Sequence, residues 1–402
     1  MAESLSRTRG APQARRMTET LLRHRSYWRW SMGVQLARLP SAMAPLAFTV
    51  LTTATTGSYR LGGVMMAVFV VAELAGSVPA GRLLDRIGPS RGLVLFLLCA
   101  AAGLGGLAFA ASAGASPAVL LVLVVLPGLI AGGLSGGFRA LLAGTVSGPL
   151  LPRAVSVDAM LIDAVIIGGP LLVALLAGFG AVLPIAAMAV VFAVSALLVP
   201  RREAPVPVSG ERPPLPIRAA VPWLACQFTI GHLLSTIEVA PFALAQRLGA
   251  AEGAAALIIT VLSGASIVGG ALYAWRGVHL TVSPRAQAIT LLGGFIAGGC
   301  TVALDLGWPG LLTGVVLIGF CTGPLVTVAS VQMQGLLPEG RRSEGFSLTF
   351  VVQASGFGLG ALTVGVLPLW LAPVFGVASA VLACAILGRG PARVVGTLPA
   401  TS

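Results

Sequence analysis

The sequence predicts an all-α integral membrane protein with twelve transmembrane helices arranged as two six-helix bundles. Three observations carry that expectation: scarce charge, recurring long apolar runs, and one proline-rich break near the middle. Of 402 residues, 56% are hydrophobic and only 9% are charged. A soluble domain carries about 25% charged residues. The apolar runs reach about 20 residues, enough to cross a hydrocarbon layer of about 30 Å.

A membrane β-barrel is excluded by pattern. Its strands alternate apolar and polar residues over about ten positions. Here the runs are continuous, as from Ala118 to Ala131. With no water to satisfy the backbone, helices remain. The 52 glycines suit close helix packing through small residues. A net charge of +12 raises the question of nucleic acid. The basic residues, all arginine, are spread through short loops with no aromatic-interleaved face, so no nucleic-acid partner is expected. Cys99, Cys226, Cys300, Cys321 and Cys384 lie within apolar runs and lack metal-ligand spacing. Neither a metal nor a cofactor is expected.

The elements follow in order. Residues 1–30 are basic and polar and read as an uncleaved tail. Twelve spans are placed near 31–53, 60–80, 92–113, 117–144, 156–178, 181–199, 219–243, 254–275, 286–305, 309–334, 346–368 and 370–388. Residues 31–199 form the first six-helix bundle and 219–388 the second. Between them, residues 200–218 form a charged linker containing Pro205, Pro207, Pro213, Pro214 and Pro216. Residues 389–402 form a second tail. On this alternation 21 arginines fall on one side and two, Arg60 and Arg247, on the other. The excess marks the cytoplasmic side. Both termini and the 81–92 segment are therefore expected to face the cytoplasm, and the plasma membrane is the expected location.

The halves carry a trace of repetition. Gly133 and Gly137 precede Leu150-Leu151-Pro152, and Gly319 and Gly323 precede Leu336-Leu337-Pro338 at the same spacings. Parallel repeats of six helices occur in one large transporter fold.

The most specific motif is Gly81-x-Leu83-x-Asp85-Arg86-x-Gly88-x-x-Arg91, with Arg82 inside it. It reads as a short charged turn between spans two and three. Gly81 and Gly88 permit tight backbone and close helix approach. Asp85 can accept from free helix-end N–H groups or pair with an arginine. The motif resembles the signature loop of the major facilitator superfamily, and its position, the span count and the division into halves resemble that family as well. The resemblance implies alternating access, with Asp85 and Arg86 latching the halves when the cytoplasmic side is closed. It also points toward multidrug or small-molecule exporters of the actinobacterial type. Arg139 in span four resembles an arginine linked to proton transfer, although the Gln-Gly that should follow is replaced by Leu142-Ala143-Gly144. Gly168-Gly169-Pro170 in span five resembles the core of a motif found in exporting antiporters, with Gly169 and Pro170 as the helix kink. A related loop at Ala274-Trp275-Arg276-Gly277 lacks the aspartate.

Ionisable groups within spans face a cavity or a partner. Arg38 lies about 10 Å into span one, at about 1.5 Å per residue, and either snorkels outward or serves a cavity. Glu73 in span two either carries a coupling proton or pairs with Arg38 or Arg139. Asp158 and Asp163 open span five; Asp158 is expected at the interface and Asp163 deeper. His232 and Glu238 in span seven, with Gln35 and Gln353, complete the set of cavity candidates. The expected partners are a small-molecule substrate, protons and the lipid bilayer, and the chain is expected to act as a monomer. The functional expectation is proton-coupled export of a small amphiphile or drug. The alternatives are an uptake symporter for a small metabolite and a transport-inactive scaffold. No phosphate-binding glycine loop with lysine occurs. With only His24, His232 and His279 and no His-Glu-x-x-His or Gly-x-Ser-x-Gly, an enzyme is not expected.

Overall fold

The structure is a computed structural model that describes residue 21 and residues 24–146, 150–201, 213–249, 253–276 and 281–389. Residues 1–20 of the tail, 202–212 of the linker, the 390–402 tail and His279 lie outside the described residues. Among the described residues the fold is wholly helical. The helices are α1 Arg25–Thr56, α2 Tyr59–Ile87, α3 Pro89–Ser112, α4 Pro117–Thr145, α5 Leu150–Ala177, α6 Leu183–Leu198, α7 Ile217–Glu238, α8 Pro241–Arg247, α9 Gly253–Arg276, α10 Pro284–Ala303, α11 Gly307–Leu336, α12 Arg342–Val366 and α13 Leu371–Arg389. Eleven are long and apolar enough to cross a membrane. Helix α6, with 16 residues, is a shorter apolar helix at the place of the expected sixth span. The seven-residue α8 is a connector.

Local chemistry sets the helix ends. Helix α1 closes on Gly57, whose φ of 70° lets its N–H return to the Thr53 carbonyl at 3.0 Å. Pro117 and Pro284 open α4 and α10, where a missing N–H costs nothing. Pro241 opens α8 in the same way. Span seven therefore stops at Glu238 and does not run on to 243 as expected.

Two further boundaries differ from the sequence reading. The charged motif is helical through Ile87, because its arginines, leucines and isoleucine are good or adequate helix formers. The turn is Gly88 alone, at φ 89° and ψ 132°, a conformation open essentially to glycine. Helix α5 begins at Leu150, not near 156. Asp158 is thus two turns inside the helix and fully buried, rather than interfacial.

By internal contacts, the described chain forms two compact units. The first takes its residues from Met1–Leu215, Gly270–Leu280 and Met333–Val351. The second takes them from Pro216–Gly269, Thr281–Gln332 and Val352–Ser402. In the first unit α2 packs on α4, α3 on α4 and α6, and α1 on α6, α5 and α2. Glycine makes the α2–α4 approach possible: a side chain at Gly76 would collide with the Leu129 carbonyl, and one at Gly132 with the Glu73 carbonyl. The buried aromatic groups are tied down. Trp30 Nε1 donates to the Phe138 carbonyl at 2.8 Å, and the Tyr27 hydroxyl to Ala154 O at 3.0 Å. In the second unit α13 packs on α7 and α10. Gly269 sits directly on the Phe320 carbonyl, and Gly319 on that of Leu262. Each unit thus holds a helix pair in glycine contact. Large apolar side chains such as Phe109 and Leu197, each 75% exposed, remain uncovered, as lipid-facing residues are.

Candidate functional site

Two polar clusters stand out in the first unit, in a protein with very few charges. The first is built on the motif at the end of α2. The Asp85 carboxylate accepts from the backbone N–H of Ser343 at 3.0 Å and of Glu344 at 2.9 Å. Those amides belong to the first turn of α12, where helix N–H groups lack intrahelical partners. Asp85 therefore supplies an N-terminal cap from a distant part of the chain. The helix dipole and the two hydrogen bonds favour the carboxylate there, while burial and the neighbouring Glu344 carboxylate oppose it.

Glu344 extends this cluster. Its carboxylate takes Arg82 Nε at 2.7 Å and Arg341 Nη2 at 2.8–2.9 Å. Backbone approach is equally tight. A Cβ on Gly81 would lie 2.6 Å from Ser347 Oγ and 2.9 Å from Ser343 O, and one on Gly136 would collide with the same two atoms. Only glycine lets α2 and α4 meet the start of α12 this closely. Of the motif arginines, Arg82 makes the ion pair; Arg86 and Arg91 are exposed and pair with no described residue. The sequence reading named Asp85 and Arg86 and missed Glu344. The available signal was an acidic residue in the first turn of a helix, at Arg342-Ser343-Glu344.

The second cluster joins residues that the sequence reading had kept apart. Arg38 of α1 binds Asp158 of α5 through two nitrogens, Nη1 to Oδ1 at 2.6 Å and Nη2 to Oδ2 at 3.1 Å. Gln35 Nε2 donates to Asp158 Oδ1 at 2.8 Å. Arg139 of α4 reaches Asp158 Oδ2 at 3.2 Å. One buried carboxylate thus holds two guanidinium groups and an amide. Arg38 pairs inward and does not snorkel, and neither arginine pairs with Glu73. The Glu73 side chain, half-buried on α2, forms no hydrogen bond or ion pair with a described residue. Asp163 lies five residues beyond Asp158, half-buried and about 140° around the helix at about 100° per residue.

The remaining candidates are dispersed. Gly169 meets Ala42 of α1, where a Cβ would stand 2.9 Å from that methyl. Pro170 sits inside α5, which continues through it. In the second unit His232 is buried on α7, its ring edge-on to Phe228 at 5.8 Å. Its neighbour Gly231 presses on the Gln353 carbonyl of α12. Glu238 is exposed at the end of α7. Among the described residues no group of histidine, cysteine, aspartate and glutamate is arranged to hold a metal.

The family model of the Major Facilitator Superfamily matches residues 31–238, just over half the chain. The chain belongs to this superfamily. Its fold agrees with that of solved transporters. A bacterial homologue of the iron transporter ferroportin, in an outward-facing state, superposes with a TM-score of 0.74 at 16% identity, over 90% of this chain and 98% of that one. The human organic anion transporter MFSD10 gives 0.68 at 16% identity, over 90% and 99%. The transporter FucP in its outward conformation gives 0.68 at 14% identity, over 90% and 99%. No curated protein matches the sequence. This superfamily member is a multi-pass membrane transporter of small molecules, not an enzyme.

Proposed function

We propose that this chain is a secondary active transporter that exports a small amphiphilic molecule in exchange for protons. It works by alternating access between two six-helix halves, 31–199 and 219–388, joined by the 200–218 linker. The observation that carries this reading is the Asp85 cap on α12, reinforced by the Arg82–Glu344–Arg341 ion pairs. These contacts join α2, of the first half, to α12, of the second. They are polar bonds at helix ends, so they suit an interaction that forms and breaks in each cycle. The arginine distribution supports a cytoplasmic position for this latch and for both termini, in a chain we read as a plasma-membrane protein.

Coupling needs a group whose protonation biases one state through differential affinity. Glu73 is our choice, since it is a carboxylate within a span with no partner among the described residues. Arg38, Arg139, Gln35 and Asp163 line the substrate path in the first half, and His232, Gln353 and Glu238 in the second. The test uses inverted membrane vesicles with an imposed pH gradient and a panel of dyes and drugs. Export with proton exchange predicts gradient-driven uptake of some compound into the vesicles, abolished by a protonophore and by Glu73→Gln. Movement in the opposite sense would identify a symporter. Gradient-driven uptake undiminished in Glu73→Gln would remove that residue from the coupling path.

A further inference from the structure

We propose that the Arg38–Arg139 edge of the buried cluster is an anion-binding site, and that the transported molecule or its co-substrate carries a negative charge there. This inference rests on the transport reading above and names its substrate class. The first support is charge balance. Two guanidinium groups share one carboxylate, Asp158, which is fully buried. Among the described residues neither arginine has a second acidic partner. The cluster therefore holds one formal positive charge in excess. An uncompensated charge is costly in low dielectric. One added anion restores neutrality.

The second support is an unfilled bonding position. Arg139 is only 8% exposed, and its Nη1 is buried with no hydrogen-bond partner among the described residues. Buried polar groups are nearly always satisfied, so an orphaned guanidinium nitrogen points to an absent acceptor. Arg38 is the accessible member of the pair, its side chain 19% exposed. An anion can thus reach Arg38 and bring an acceptor toward the Arg139 side. The depth fits a transported group. Arg38 lies about 20 Å along α1 from Arg25, at about 1.5 Å per residue, within a helix of 32 residues.

Carboxylates match a planar guanidinium in two-point geometry, and inorganic anions satisfy the same charge. The test separates the two sources. Binding of radiolabelled benzoate to the purified full chain in detergent is measured by equilibrium dialysis, beside the neutral isostere benzamide. We expect saturable benzoate binding, benzamide weaker by at least tenfold, and at least a tenfold loss in Arg38→Gln. Displacement of benzoate by millimolar chloride assigns the site to an inorganic anion, and resistance to chloride assigns it to an organic carboxylate. Equal binding of benzoate and benzamide, no benzoate binding, or undiminished binding in Arg38→Gln overturns the proposal. The vesicle assay separates this failure from failure of the transport reading. Gradient-driven movement of a cationic or neutral dye with no anion binding leaves transport standing and the anion site refuted.

Discussion

Replacing Asp85 by asparagine tests the latch with minimal change of shape. The aspartate accepts two backbone N–H bonds at 3.0 and 2.9 Å. Asparagine keeps one acceptor, and its amide nitrogen then faces the second N–H, donor against donor. A hydrogen bond to a charged group contributes about 1.5–3 kcal/mol, and the helix-end dipole adds about 0.3–1 kcal/mol. Repulsion between Asp85 and Glu344 is relieved by the change and offsets part of this. A net loss of about 2 kcal/mol remains, or about 30-fold in the equilibrium, since about 1.4 kcal/mol is tenfold. Hydrogen exchange in lipid nanodiscs, read by mass spectrometry on a peptide spanning 342–351, checks it directly. The expected result is exchange about 30-fold faster in Asp85→Asn, with peptides of α3 and α6 unchanged. Rates within twofold of the unmodified chain would refute the reasoning that Asp85 holds the start of α12.

Other substitutions grade the remaining contacts. Arg82→Ala removes a partner whose side chain is 56% exposed while Arg341 still holds Glu344, so the same peptide should change by less than about fivefold, about 1 kcal/mol or under. Asp158→Asn leaves two guanidinium groups without their carboxylate and should destabilise by about 3–5 kcal/mol, seen as a lower Tm and poorer recovery from detergent. Gly76→Ala drives a methyl into the Leu129 carbonyl and should cost about 1–3 kcal/mol. Gly105→Ala, with nothing within 4 Å of its added methyl, should leave the Tm nearly unchanged.

The fold was legible because the bilayer simplifies the problem. Backbone satisfaction restricts the spans to helices, and apolar length then counts them. The ends were less legible. At Ile87 and Leu150 the helices outrun the apolar pattern, since charged residues such as Arg82, Asp85 and Arg153 continue a helix without being apolar. That error carried a cost at the site: reading α5 as starting near 156 put Asp158 at the interface and hid its role. With the true start at Leu150, Asp158 falls among Arg38, Gln35 and Arg139. Each had been picked as polar within a span, but nothing in the sequence said they share one partner. Pairing between distant helices is set by packing angles and rotation, which periodicity in a uniformly apolar helix does not encode.

The missing aspartate of the second loop has a structural answer. Gly270 faces Met160 and Ser156 O, 3.1 and 3.8 Å from an added Cβ, where Gly81 faces Ser347 and Ser343 O at 2.6 and 2.9 Å, so the second approach is the looser; each pair lies in the first unit. At the second place Ala274 occupies the position of Asp85 and has no carboxylate to offer. The bond there runs the other way. Arg153, near the start of α5, donates from Nε to the Ala274 carbonyl at 3.2 Å, in the last turn of α9. A cation at a helix C-terminus is the electrostatic mirror of an anion at an N-terminus. So one clasp uses a carboxylate to hold a helix start, and the other uses a guanidinium to hold a helix end. The two are unequal in strength: among the described residues Asp85 makes two charge-assisted bonds with a neighbouring ion-pair network, and Arg153 makes one. The α12 clasp is therefore the stronger of the two, and of this pair Asp85 is the residue whose loss costs more.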